Sequence, residues 1–188
     1  YKKESVCQYM SIDILFIHPG DHKKTYQDLS REFTAIATPV WASLLADYIR
    51  NKGFSVAIHD VPVEGWDTDL LKKIFSKYSP KLVVIMVYGH NPSASTQTMP
   101  SAGKIAKDIK EYNRDIPIAM GGTHPSALPE RTLKEEDVDF VIQGEGTYTI
   151  DGLVKWIKGK VTLKGIKGLW YKDLSLIHIS EPTRQAEI

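Results

Sequence analysis

What this sequence lacks bounds it first. It has one cysteine, Cys7, in 188 residues. A lone cysteine rules out an intrachain disulfide and any all-cysteine metal or cluster site. Cys7 reads as an incidental thiol ahead of the first strand. An excess of one charge is also missing. The 24 Lys and Arg against 23 Asp and Glu leave a net charge of +1. No global field therefore draws the chain to nucleic acid or to an anionic membrane. No apolar run approaches the roughly eighteen residues of a membrane-spanning helix. Tyr1-Lys2-Lys3-Glu4 has no apolar signal region behind it, so a cytoplasmic location is expected. An initiator Met is absent too, and the expectation is a chain cut at this end.

Three motifs are missing as well. No G-x-G-x-x-G follows the first strand, which removes the dinucleotide fingerprint. No G-x-x-x-x-G-K-[ST] is present, which removes the nucleotide-triphosphate loop. There is no G-x-S-x-G elbow and no cysteine in an active-site position, so nothing argues for nucleophilic catalysis. No internal repeat or low-complexity linker interrupts the chain.

What is present is a βα rhythm. Hydrophobic residues make up 42% and charged residues 25%, a globular composition whose length suits one domain. Strands are predicted at Ile12–Ile17, Ser55–His59, Leu82–Val87, Ile116–Met120 and Val138–Ile142. Continuous apolar runs bounded by Gly and Pro suit strands covered on both faces. Helical stripes lie between them. Trp41, Leu44, Leu45, Tyr48 and Ile49 form the first, closed by Gly53 as a cap. Leu70, Leu71, Ile74, Phe75 and Tyr78 form the second. Ala102, Ile105, Ala106 and Ile109 form the third. Leu128 and Leu133 mark a short fourth, and Ile150, Leu153, Val154 and Ile157 the fifth. The fold expected is a doubly wound α/β domain with a five-stranded parallel sheet in the flavodoxin-like (Rossmann-like) order 2-1-3-4-5. Gly165–Lys172 reads either as a sixth strand or as the start of an onward connection.

In such a sheet, ligands bind outside the carboxyl ends of the strands. The loops there are rich in Gly, Pro, His and small hydroxyl residues. Strand one is followed by His18-Pro19-Gly20-Asp21-His22, and strand two by Asp60-Val61-Pro62. Strand three is followed by Tyr88-Gly89-His90-Asn91-Pro92-Ser93-Ala94-Ser95-Thr96. Strand four is followed by Gly121-Gly122-Thr123-His124, and strand five by Gln143-Gly144-Glu145-Gly146-Thr147. Each has two readings. Gly121-Gly122 either turns the chain or lets a flat ligand approach the backbone. Gly144 and Gly146 pose the same choice, with Thr147 a possible helix cap. Glu145 either holds a polar ligand group or is solvated. Ser93, Ser95 and Thr96 either cap a helix or hydrogen-bond a ligand. Asp60 could bind a ribose hydroxyl. His18, His22, His90 and His124 are spread over three loops with no close-spaced pair, so no metal site is assigned.

These loops, in this order, carry a resemblance. The order is PG after strand one, Asp at the end of strand two, YGHNPSAST, then GGTHPSALPE and DVDFVIQGEG. It is similar to the N-terminal domain of B12-binding radical S-adenosylmethionine (SAM) proteins, from about Ser11 to about Tyr171. The resemblance implies a flavodoxin-like domain that binds cobalamin over the carboxyl ends of its strands. The cofactor's nucleotide tail would enter a cleft lined by Ser93, Ser95, Thr96, Gly121 and Gly122, with Glu145 and Gly146 beside the opening. Pro19, Gly20, Asp60, Tyr88, Gly89, Asn91, Thr123, His124 and Gly144 complete the expected cofactor-binding set. The family's Asp-x-His-x-x-Gly motif, which supplies a cobalt-ligating His in methionine-synthase-type domains, fails at Asp21-His22-Lys23-Lys24-Thr25. No histidine is therefore expected to ligate cobalt in the usual way, with His22 or His18 near the corrin as the weaker alternative. A CxxxCxxC motif is absent, so the [4Fe–4S] cluster and SAM are expected in a separate radical SAM domain. This part would bind the cofactor and perform no radical step itself. A methyl transfer or related radical reaction is expected of the longer protein. The competing readings are a receiver or sensor module, which would need a phosphoacceptor Asp after strand three, and a sugar-nucleotide enzyme on a related fold. Fold alone does not separate them.

The expected organisation is a lead-in over residues 1–10, the cobalamin domain over 11–160, and the start of a connection over 161–173. Leu174–Arg184, LSLIHISEPTR, resembles a translated transposase-type sequencing adapter. Residues 174–188 are accordingly expected to be a non-native tail, in which His178 has no functional claim.

Overall fold

The fold is described from a computed structural model, over residues 10–20, 38–89, 92–173 and 176–179. The element order is β1 (Ile14–His18), α1 (Val40–Asn51), β2 (Val56–Asp60), α2 (Val61–Glu64), α3 (Thr68–Tyr78) and β3 (Leu82–Val87). Then follow α4 (Pro92–Tyr112), β4 (Ile118–Gly122), α5 (Thr123–Ala127), α6 (Pro129–Glu135), β5 (Phe140–Ile142), α7 (Thr147–Ile157), β6 (Leu169–Asp173) and β7 (Leu176–Ile179). The strands form one seven-stranded sheet in the order β2-β1-β3-β4-β5-β6-β7. Its first five members are parallel, so the expected order 2-1-3-4-5 is present as the core. The expected count of five is corrected, because β6 and β7 continue the edge antiparallel. Gly168, at φ 73°, turns the chain back so that Leu169 pairs with Ile142. The boundary expected between Asp173 and Leu174 falls at the end of β6, and β7, which pairs with β6, lies beyond it.

Helices cover both faces, as a doubly wound sheet requires. Side-chain alternation along the strands builds two cores. Leu15, Ile17, Val83, Ile85, Val87, Ile118 and Met120 point one way, toward α3 and α4. Ile14, Phe16, Leu82, Val84, Met86, Ala119, Phe140 and Ile142 point the other way, toward α1 and α7. All six residues of β3 are buried. Burying one such side chain contributes roughly 1.5–3 kcal/mol, which explains why this strand is apolar throughout.

Two helices depart from the sequence expectation. In α1 the buried residues are Ala42, Leu45, Ala46 and Ile49, while Trp41 and Leu44 are exposed. The small alanines let the helix lie close to the sheet, and this turns its buried stripe away from Trp41. α4 begins ten residues ahead of the stripe at Ala102, and it runs on through Pro100. Its first half is polar on one side and carries no stripe to read. α3 begins where Asp67 caps it, accepting hydrogen bonds from the backbone N–H of Asp69 at 2.9 Å and of Leu70 at 2.8 Å.

The amino ends of the strands are tied by buried charge. The Asp13 carboxylate accepts from Lys158 Nζ at 2.6 Å, from Lys81 Nζ at 3.4 Å, and from the Ser55 N–H and hydroxyl at 3.1 Å each. It thus joins β1 to β2, to the start of β3 and to the end of α7. Lys110 Nζ and the Ile118 N–H each donate to Asp139 at 2.7 Å, joining α4, β4 and β5 in the same way. Burial by itself pushes the Asp13 carboxyl up. The hydrogen bonds from Lys158 and Ser55, with the Lys158 charge, outweigh burial and hold it below its ordinary value of 3.8. A carboxyl depressed on folding stabilises the fold above its unfolded pKa, and that stability disappears as pH falls through the folded pKa. Asp13→Asn is therefore expected to cost about 1–3 kcal/mol at pH 7. Urea titrations at pH 7 and below pH 3.8 check this, and the gap between wild type and variant narrows at the lower pH.

Candidate cofactor site at the carboxyl edge

The parity that builds the cores also fixes what stands at the carboxyl edge. On the α1–α7 face, His18 continues the row of Ile14 and Phe16, and Gly121 continues the row begun by Ala119. Tyr88 follows the row of Leu82, Val84 and Met86, and it packs half-buried against the same core. Asp60 closes the corresponding row of β2. The edge on this face thus reads Asp60, His18, Tyr88, Gly121 and Ile142 from one strand to the next.

His18 and Asp60 stand opposite one another in register. His18 Nδ1 lies 2.8 Å from Asp60 Oδ1, and both side chains are mostly buried. The Asp60 N–H donates to Glu64 Oε1 at 3.1 Å, which anchors α2 below the rim. Pro19 is buried. Gly20 lies so near Pro62 that an added Cβ would sit 2.7 Å from the proline Cγ. His59, one residue before the rim, is buried with Nε2 2.9 Å from the Gly65 carbonyl.

The exits of β3 and β4 are joined through Ser95. Its hydroxyl donates to the Val87 carbonyl at 2.5 Å and accepts from the His124 N–H at 3.0 Å. Ser95 is fully buried, and its oxygen is already engaged as donor and acceptor. Gly122 has φ 139°, and a Cβ there would strike the Val87 carbonyl oxygen. Only glycine allows that conformation and that approach. A Cβ at Gly89 would likewise lie 2.5 Å from the Ala94 Cβ, so the turn into α4 is equally tight. Above this junction, Thr96 Oγ1 and His124 Nδ1 lie 2.9 Å apart, and Ser93 and Thr96 are exposed. Thr123 opens α5 and is half-buried.

The β5 exit completes the edge. Gly144 and Gly146 have φ of 85° and 87°. The Gly144 N–H donates to the Ser126 hydroxyl at 2.8 Å, which fastens this turn to α5. Gly146 takes the cap position of α7, and Thr147 is the first helical residue, one place later than expected. Glu145 is exposed but close to Tyr88. Burial, and then the negative charge of Glu145, push the Tyr88 phenol above its ordinary value of 10.0.

The residues expected from the sequence therefore come together in two groups. Tyr88, Gly89, Ser93, Ser95, Thr96, Gly121, Gly122, Thr123 and His124 gather at β3 and β4, with Gly144, Glu145 and Gly146 alongside. Pro19, Gly20 and Asp60 lie at the β1–β2 end of the edge. Asn91, His90 and His22 lie outside the described residues. Trp41 was missed. Its ring stacks on Tyr88 with centroids 5.0 Å apart and 21° between planes. The two residues lie 47 positions apart in sequence, and no local pattern signals the pair. Among the described residues, no group of three or more His, Cys, Asp or Glu could hold a metal ion. No helix among them is long and apolar enough to cross a membrane.

Comparison with known proteins gives this edge a context. The family model described as "B12 binding domain" matches residues 26–154. An uncharacterized methyltransferase of Pyrococcus horikoshii, PH0819, is 32% identical over 166 residues, covering 85% of this chain and 33% of the relative. The anaerobic magnesium-protoporphyrin IX monomethyl ester cyclase of Rubrivivax gelatinosus is 27% identical over 143 residues, covering 75% and 24%. Among solved structures, the radical SAM methyltransferase TsrM of Kitasatospora setae with cobalamin and a [4Fe–4S] cluster bound matches at TM-score 0.71 and 20% identity, covering 93% of this chain and 29% of that one. The cobalamin-dependent SAM radical enzyme OxsB with aqua-cobalamin bound matches at TM-score 0.68 and 18% identity, covering 98% and 26%. The structural likenesses establish the fold. The chain spans about a third or less of each of these four proteins.

Ser95→Ala tests the junction. It leaves the Val87 carbonyl and the His124 N–H without their partner, and buried groups so stranded cost about 1–3 kcal/mol each. A drop of at least about 2 kcal/mol in unfolding free energy is expected from a urea titration.

Proposed function

The chain belongs to the B12 binding domain family, and on that footing we propose that it is the cobalamin-binding module of a longer radical SAM enzyme. It holds and orients the cofactor while a separate domain performs the radical step. One observation carries this reading. Gly89 follows β3, Gly121 and Gly122 close β4, and Gly144 and Gly146 follow β5, all within the matched span. They keep side chains off that edge; Gly144 is exposed and Gly89 half-buried, while Gly121, Gly122 and Gly146 lie just beneath it. A large ligand with a broad ring and many amide groups needs that room and few opposing charges. The residues present fit cobalamin on this count.

The chain's own groups then divide the work. Gly121 and Gly122 provide a floor without side chains. Thr96, Ser93, Thr123 and His124 offer exposed or half-buried hydrogen-bonding groups above it. Ser95 holds the floor in shape through Val87 and His124. Glu145, Gly144 and Gly146 border the opening on the β5 side. Pro19, Gly20 and Asp60 border it on the β1 side, and Asn91 is assigned to the cofactor-binding set from its place in the sequence after β3. His18 is held at Nδ1 by Asp60, and no histidine is assigned as a cobalt ligand. Bound cobalamin would supply a cobalt centre able to carry a methyl group. The [4Fe–4S] cluster and SAM are assigned to the separate domain, and methyl transfer or a related radical reaction to the whole protein. Residues 11–160 form the cofactor domain in this reading, with 1–10 leading into it. Residues 161–173 lead toward the radical SAM domain, and 174–188 are a tail foreign to the natural protein.

The experiment is a binding assay. The 188-residue chain is mixed with hydroxocobalamin, desalted, and its visible spectrum recorded. Corrin absorbance that stays with the protein at close to one equivalent is the expected result. Protein that emerges free of corrin absorbance overturns the reading.

A further inference from the structure

His59 stands on β2 level with Ile17, on the face covered by α3 and α4, and is 2% exposed. Both of its ring nitrogens meet acceptors. Nε2 lies 2.9 Å from the Gly65 carbonyl, and Nδ1 lies 3.3 Å from Glu64 Oε1. A neutral imidazole carries one N–H, so it serves one of the two and turns a lone pair on the other. The imidazolium carries two and serves both. Both acceptors belong to the end of α2. The same Glu64 oxygen also accepts from the Asp60 N–H at 3.1 Å, and the Gly65 N–H closes the turn on the Val61 carbonyl at 2.9 Å. α2 in turn packs on the chain leaving β1, because a Cβ at Gly20 would sit 2.7 Å from Pro62 Cγ. Trp66 packs on the His59 ring with centroids 5.8 Å apart. The other titratable groups around this ring are engaged elsewhere. Asp60, next along β2, pairs with His18 of β1 at 2.8 Å. Asp108 of α4 accepts from the Trp66 indole at 2.9 Å and from Lys104 at 2.6 Å. Asp67 caps α3. Glu64 is the carboxylate that faces His59.

We propose that His59 and Glu64 form a proton-dependent latch that holds α2 in place at the β1–β2 end of the sheet. The latch is closed when both ring nitrogens of His59 carry protons, and raising the pH opens it. Burial opposes the charge on the ring, while the carboxylate and the carbonyl favour it. Imidazole is the side chain whose charge changes between about pH 5 and 8. α2, and Gly20 packed against it, therefore loosen on the alkaline side of that range. The closed state holds one proton more than the open state, so it loses ground as pH rises. Acid opens the latch from the other side, because protonating Glu64 removes the charge that faces the ring. The latch is a property of the chain alone. It is tested without cobalamin, and it stands or falls apart from the cofactor reading.

Nitrogen NMR of the histidine rings in the 188-residue chain reads the protons on His59, and amide exchange reads the latch. Both are followed from about pH 5.5 to about pH 8.5, with each exchange rate divided by that of an unstructured peptide at the same pH. His59 is expected to show two protonated ring nitrogens at the acid end and one at the alkaline end. Protection of the Asp60 and Gly65 amides is expected to fall about threefold across the same transition. The amides of β3, buried along its length, are the reference and stay level. In Glu64→Gln the side-chain amide can donate to the neutral ring, so the pH dependence of both amides is expected to vanish. A His59 ring that keeps one protonation state over the whole range overturns the proposal. A His59 transition that leaves both amides unchanged overturns it too, as does an amide transition that follows the ring signals of His18 instead. PH dependence that survives in Glu64→Gln has the same consequence. If that variant does not fold, the wild-type ring and amide signals decide alone.

Discussion

The carbonyl oxygen of Val87 is the point on which the carboxyl edge depends. β3 ends there. Gly122 of β4 approaches it so closely that no side chain could be carried at that position. The Ser95 hydroxyl of α4 donates to it, and the same hydroxyl accepts from His124 at the start of α5. Two strands and two helices thus meet around one acceptor and one hydroxyl, deep in the protein. Such a junction tolerates little change, because any lost partner leaves a buried polar group unmet. The surface above it inherits that rigidity. Thr96, His124 and Gly121 hold their relative places because this junction holds theirs.

The two ends of the sheet are built from different materials. The amino end is bolted with lysine–carboxylate pairs, Asp13 with Lys81 and Lys158, and Asp139 with Lys110. The carboxyl end uses glycines, hydroxyls and aromatic rings, with His18–Asp60 at its border. The lysine–carboxylate ties lie at the end where no ligand is expected. Among the described residues the carboxyl end is built mainly from uncharged groups, with Asp60 and Glu145 as the carboxylates at its border. That division suits a bulky cofactor whose recognition depends on shape and hydrogen bonds more than on charge.

Much of this was legible in the sequence. The strand order followed from five continuous apolar runs, since buried parallel strands need no alternation to be read. The loops that form the rim followed from that order. Other parts needed the third dimension. β6 pairs antiparallel after a turn at Gly168, and its Leu-Trp-Tyr run beside charged residues gave no sign of direction. The stripe of α1 was misread because alanines pack the sheet where leucine and tryptophan were expected. The buried roles of Ser95 also lay hidden, because a hydroxyl near a helix start looks the same whether it caps, binds or bridges. The Trp41–Tyr88 stack joins residues from different βα units, so no local pattern announces it.

The central claim is one of place: the cofactor lies across the carboxyl edge above β3, β4 and β5. Amide hydrogen exchange, with and without hydroxocobalamin, tests it most directly. The account predicts added protection in the segments around Tyr88–Gly89, Gly121–His124 and Gln143–Gly146, with the amino-end loops around Ser55, Lys81 and Asn113–Pro117 unchanged. Protection at the amino end, with the carboxyl-edge segments unaltered, would contradict it.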